Sequence, residues 1–171
     1  MAAALALLLQ RDPKGVSPPP DAAPFAETVE AVVAREAPYD GHGAEDFGAL
    51  ILLTGYEEGH FTLTAEGDHG EAHCMLQIHE PWSMVGTLEG CVKRGIANMR
   101  ESLRMARATG HPEAPLAQYM GTCRNEKVRE MAKRRMARAL GLAKAARAQV
   151  ALEAKAVKAA GAMPVGALAV E

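Results

Sequence analysis

The chain opens on an alanine/leucine run, Met1 to Gln10, which reads as a short helix or a partner-contacting arm. No basic residue precedes it, so it lacks the charged segment that leads an export signal. Residues 11–23 hold five prolines or glycines, including Pro18-Pro19-Pro20, and read as an extended linker. From Pro24, a residue suited to a first helical position, Phe25, Val29, Val32 and Val33 recur at helical spacing until Pro38. Asp40-Gly41-His42-Gly43 predicts a turn. A second helix then runs from Ala44 to Glu57 or Glu58, carrying Phe47, Leu50, Ile51, Leu53 and Thr54, with Gly59 as its stop.

The pattern changes over residues 60–80. Phe61-Thr62-Leu63-Thr64 is β-compatible, Gly67-Asp68-His69-Gly70 predicts a turn, and Met75-Leu76-Gln77-Ile78 a short apolar element, so this stretch reads as a small hairpin or irregular lobe between helices. Helical spacing returns from Leu88 to about Ala108, with Ile96, Met99, Leu103 and Met105, and ends at Gly110-His111-Pro112. Leu116 to Met120 predicts the start of another helix, interrupted near Gly121. Glu126 to about Ala160 predicts a helix of unusual length, rich in Ala, Arg, Lys, Met and Leu, before an apolar tail at Ala162–Glu171. The fold class is therefore mainly α: a helical core, a small β-hairpin lobe and a long C-terminal helix.

Composition supports that class. Hydrophobic residues make up 49% of 171, yet only seven are aromatic, and alanine, the strongest helix former, supplies much of the apolar count. No apolar run is long enough to span a membrane. The net charge of −2 conceals an asymmetry: residues 1–90 carry a balance of −12 and residues 91–171 one of +10. A basic half either meets a polyanion or faces the acidic half, within the fold or in a neighbouring copy. The basic helix from Arg124 to Arg147 lacks interleaved aromatics, which argues against nucleic acid. Arg129, Lys133, Arg134, Arg135 and Arg138 read as its solvated face. Cys74, Cys91 and Cys123 permit one staple, with Cys91–Cys123 the candidate pair and Cys74 a buried small hydrophobe.

The candidate chemistry lies between the second helix and the hairpin. A glutamate closing a buried apolar helix is partly desolvated, which favours a retained proton, and glycosidic cleavage needs a proton donor at the leaving oxygen. Glu58-Gly59-His60-Phe61, Cys74-Met75-Leu76-Gln77-Ile78 and Leu116-Ala117-Gln118-Tyr119-Met120-Gly121 occur in that order. Together they resemble the lytic transglycosylase branch of the lysozyme superfamily, in which a Glu-Ser-x-Phe segment, a Gly-Leu-Met-Gln-Ile segment and an Ala-x-Tyr-Asn-x-Gly segment follow one another. The match covers roughly residues 25–140. Gly59 stands in place of the usual serine, Cys74 where glycine is common, and Met120 where asparagine is common.

The resemblance implies an α+β lysozyme-like fold and cleavage of the peptidoglycan glycan strand with no cofactor. Glu58 matches the catalytic acid and base, Gln77 and Tyr119 match residues lining the sugar cleft, and Met75 and Ile78 match positions that shape the cleft or its underside. His79 reads as a cleft-edge or turn residue. Glu57 is the rival acid, since helical phase does not separate it from Glu58. A hydrolytic muramidase commonly needs a second carboxylate, for which Asp68 and Glu71 are the candidates; a transglycosylase does not, because the muramoyl 6-hydroxyl is the nucleophile. His60, His69, His73 and His79 beside Cys74 have an imperfect metal-ligand spacing, and no metal is expected.

The implied division is an arm and linker at 1–23, a transglycosylase domain at 24–140 and an alanine-rich extension at 141–171. The arm and the long helix are candidate contacts for protein partners. A virion-associated wall-degrading protein, acting in the host periplasm or cell wall, is the favoured setting, ahead of an exported bacterial envelope protein. A non-catalytic structural virion protein that kept a lysozyme-like core is the competing class.

Overall fold

Where apolar residues recur every third or fourth position, the chain is helical. The computed structural model describes residues 1–10, 19–35 and 42–161, the last three of these by backbone alone. The elements are α1 (Ala2–Leu9), α2 (Ala22–Val33), α3 (Ala44–Gly59), β1 (Glu66–Gly67), β2 (Ala72–His73), α4 (Trp82–Val85), α5 (Leu88–Ala108) and α6 (Glu126–Gly161). The protein is mainly helical, with a small two-stranded antiparallel sheet in which Glu66 faces His73 and Gly67 faces Ala72. Among the described residues no helix is long and apolar enough to cross a membrane.

The core is built around α3. Every residue from Phe47 to Gly55 is buried, as expected of a helix apolar on all sides, and α1, α2, α5 and α6 all pack on it. Helix α2 contributes Phe25, Ala26, Val29, Val32 and Val33 to the core. It starts two residues before Pro24, which sits in the first turn where a missing N–H costs nothing. The predicted end at Pro38 lies outside the described residues. The N-terminal run is helical, and its partner is this same fold: Ala4, Leu5 and Leu8 are buried and α1 packs on α6. Of the predicted linker, residues 11–18 lie outside the described residues.

Helix α5 presents Cys91, Val92, Ile96, Met99, Leu103 and Ala106 to the core, and its N-terminus is capped by the Thr87 hydroxyl, which accepts from the Gly90 N–H at 3.1 Å. Helix α6 has 36 residues, hence a length of about 54 Å, and passes Gly141 without interruption. Its buried stripe is Ala132, Arg135, Ala139, Leu142 and Ala143. Beyond that stripe Val150, Leu152 and Val157 are exposed. The acidic and basic halves of the chain do meet within the fold: Arg135, Arg138 and Arg147 of α6 pair with Glu57, Glu58, Glu45 and Asp46 of α3.

Three expectations are corrected. Phe61–Thr64 is a turn, because His60 and Phe61 both take left-handed backbone (φ 46° and 57°) and drive the Phe61 ring inward against Phe25 and Tyr56. Leu116–Met120 forms single turns, not a helix; its side chains Leu116 and Ala117 are pulled into the core instead. The disulfide joins Cys74 to Cys91, not Cys91 to Cys123. The turn after β2 brings the Cys74 Cα within 6.2 Å of that of Cys91, a spacing a bridge requires, while Cys123 is a buried free thiol.

Candidate functional site

Helix α3 ends where the hairpin passes beneath it. His60 is its left-handed cap, donating its N–H to the Tyr56 carbonyl at 3.2 Å. Gly59 is the last helical residue, not the stop, and its role is close approach. A Cβ built there would lie 2.5 Å from the Met75 Cα and 2.8 Å from its carbonyl oxygen. Backbone cannot yield as a side-chain end can. Gly59→Ser, which would bring the segment nearer the lytic transglycosylase pattern, is therefore expected to destabilise the fold by about 2–3 kcal/mol, measured by urea unfolding; a neutral result would mean that the two backbones are further apart.

The Met75–Ile78 segment is held in register by several contacts. Ile78 and His73 exchange backbone hydrogen bonds at 2.8 and 3.0 Å. Gln77 has left-handed backbone (φ 50°), and its amide donates to the Cys74 carbonyl at 3.1 Å. That side chain lies where a Cβ on Gly67 would stand, so the hairpin strand must be bare at that point. Opposite, the Tyr119 hydroxyl donates to the Leu76 carbonyl at 2.5 Å, and its N–H donates to the Ser102 Oγ at 2.9 Å. Ser102, buried on α5, in turn donates to the Pro115 carbonyl at 2.9 Å. Nothing in the sequence pattern marks Ser102, a lone hydroxyl among apolar neighbours, as the tether of the Tyr119 segment.

Burial pushes the Tyr119 hydroxyl well above the ordinary tyrosine range, and the negative charge of Glu58 adds to the shift. The fold thus favours the protonated form. That contribution is whole below about pH 10, the ordinary tyrosine value, and is lost as pH rises beyond it. Stability is expected to fall from about pH 10 upward, and Tyr119→Phe to flatten the fall while costing about 1 kcal/mol at neutral pH through the lost bond to Leu76. Denaturant midpoints taken across the alkaline range check both.

Glu58, Asp68, Gln77, His79 and Tyr119 line one groove of about 500 Å³, along with Leu76 and Gln118. Three segments far apart in sequence therefore converge on one place. Met75 and Ile78 do not line it: both are fully buried beneath. Glu71 is exposed on the hairpin and is not among the lining residues. Asp68 stands at the hairpin tip with its carboxylate 2.8 Å from the His79 Nε2. Helical phase left Glu57 and Glu58 equivalent, but their surroundings differ. Glu57 lines a neighbouring cavity and pairs with Arg135 and Arg138, whereas Glu58 opens on the groove.

Sequence reasoning placed Arg135 on a solvated face, and it is buried. Its side chain is 8% exposed and sits between the two glutamates, Nε 2.7 Å from Glu57 Oε2 and Nη1 2.5 Å from Glu58 Oε1. Arg135 thus bridges the two glutamates that close α3. The signal was available: Arg135 is in helical register with Ala132, Ala139 and Leu142. Among the described residues no group of three or more His, Cys, Asp or Glu side chains is arranged to hold a metal ion; Cys74 is in the disulfide and His79 is on Asp68.

Comparison of the chain with protein-family models, with curated proteins and with solved structures finds no match.

Proposed function

We propose that this protein is a lysozyme-like lytic transglycosylase that cleaves the bond between N-acetylmuramic acid and N-acetylglucosamine in peptidoglycan. The observation that supports the reading is the convergence of Glu58, Gln77 and Tyr119 on one groove. The groove has the chemistry a sugar chain needs. Gln77, Gln118 and His79 offer hydrogen bonds to hydroxyl and acetamido groups, while Tyr119 and Met120 offer an apolar wall.

Glu58 acts twice. Having taken up a proton and moved off Arg135, it protonates the glycosidic oxygen as the bond breaks; Arg135 keeps Glu57 as its counter-charge meanwhile. The carboxylate so formed takes the proton of the muramoyl 6-hydroxyl, whose oxygen closes onto the anomeric carbon as a 1,6-anhydro ring. Bonds and protons balance without water. A muramidase is the second reading, and the presence of Asp68 in the same groove favours it, since that carboxylate can steady a water or the oxocarbenium ion.

Mass spectrometry of sugars released from purified cell walls tests the proposal. Fragments ending in anhydro-muramic acid, each one water lighter than the hydrolysed form, are expected. Reducing ends would transfer the reading to the muramidase. No release at all would leave the competing class, a structural virion protein. The Cys74–Cys91 bridge supports action in an oxidising compartment such as the periplasm or cell wall. The setting we propose is a virion-associated protein, with an exported envelope enzyme second.

A further inference from the structure

Beside the groove lies a second cavity, of about 420 Å³, that the proposed mechanism leaves unused. Its walls are Tyr56, Glu57 and His60 from the end of α3, and Arg134, Arg135 and Arg138 from α6. It borders the groove, and Arg135, Met120 and Met131 line both. An anionic group on a substrate held in the groove would therefore have this cavity as its neighbour across Arg135 and the two methionines.

Charge in this cavity does not balance. Three guanidinium groups face one carboxylate, Glu57, which Arg135 and Arg138 already share. Glu58 takes Arg135 from the groove side, and Arg134, which feels the charge of Glu130 on its own helix, has no ion-pair contact among the described residues. Arg135 adds an independent observation. Its Nε and Nη1 are buried, and although each lies close to a carboxylate oxygen, neither contact has hydrogen-bond geometry. Buried N–H donors poorly aligned with their counter-ions are costly unless something else accepts from them. Planar guanidinium groups are matched best by a carboxylate, which accepts two parallel N–H bonds. The Glu57 carboxylate, the Tyr56 ring and the two methionines disfavour a group of higher charge.

The geometry points to this cavity as a subsite for a carboxylate on the side arm of the muramoyl sugar, supplied by the free lactyl group or by the peptide stem. The inference rests on the glycan reading of the groove and deepens it. Arg134 and Arg138 would bind the carboxylate from one side, and Arg135 would turn its unaligned donors towards it.

Two measurements test it. The first is binding, which needs no turnover: the guanidinium Nε–H signals are followed by NMR while N-acetylmuramic acid, muramoyl dipeptide or uncharged N-acetylglucosamine is added. The signals of Arg135 and Arg138 are expected to move with either or both acids and not with the neutral sugar, and Arg134→Gln to weaken that binding about tenfold. The stronger of the two acids identifies the source of the carboxylate. No movement with either acid, or equal movement with the neutral sugar, overturns the subsite. The second is selectivity: the KM for carboxylate-bearing strands relative to neutral chito-oligosaccharide is expected to rise about tenfold in Arg134→Gln, and an unchanged ratio counts against the subsite. If walls are not cleaved but the acids bind as described, the transglycosylase reading fails while the anion site stands.

Discussion

Glu58→Gln is expected to slow the release of sugar fragments from purified cell walls by about a thousandfold, the scale of a lost general acid/base. The amide keeps the size and the hydrogen-bonding reach of the carboxylate but has no proton to deliver to the leaving oxygen. Arg135 keeps Glu57 as a partner, and Glu58 is about a third exposed, so the melting temperature is expected to stay within about 2 °C of wild type. Glu57→Gln is the matched control. It removes a charge shared by Arg135 and Arg138 at the edge of the neighbouring cavity, and it is expected to retain at least about a tenth of the rate while losing more stability than Glu58→Gln. Reversed outcomes for the two variants would make Glu57 the acid, and wall release left unchanged by both substitutions would remove the enzymatic reading.

The disulfide carries the second large effect. Cys74 and Cys91 are 17 residues apart, and closing a loop of that size removes about 3 kcal/mol of chain entropy from the unfolded state. In a protein of this size the paired substitution Cys74→Ala with Cys91→Ala is expected to lower the melting temperature by about 6–12 °C. Activity is expected to fall as well, because the bridge ties the start of the Met75–Ile78 segment to the first turn of α5, and Gln77 hangs from the Cys74 carbonyl. Wild type treated with reductant should melt with the double variant. A melting point that does not respond to reductant would mean that the bridge does not form.

Much of the fold was legible because helices announce themselves by spacing. The stripe of α5 follows from apolar residues at three- and four-residue intervals, the extent of α6 from a composition rich in strong helix formers, and α3 from a run apolar on every side. The convergence of Glu58, Gln77 and Tyr119 was legible only through resemblance, since no periodicity brings positions so far apart together. What escaped had local causes. His60 and Phe61 take left-handed backbone that their residue types disfavour, so a β-compatible sequence became a turn. Leu116 to Met120 has helical composition, but Ser102 draws the Tyr119 N–H and the Pro115 carbonyl to α5. Composition concealed Arg135: among so many basic residues, the one sharing a phase with Ala132 and Ala139 looked like its neighbours.

The contact of Gly59 with Met75 couples the two sides of the groove. Glu58 stands on one of two backbones that touch there, and Gln77 stands two residues further along the other. The bridge at Cys74 and the hydroxyl of Tyr119 pin that second backbone from two more directions. The two sides of the groove are thus tied together at their base by a close backbone approach, a covalent bridge and a hydrogen bond. A ligand entering such a template spends little on ordering the protein, so its affinity reflects mostly its own loss of freedom.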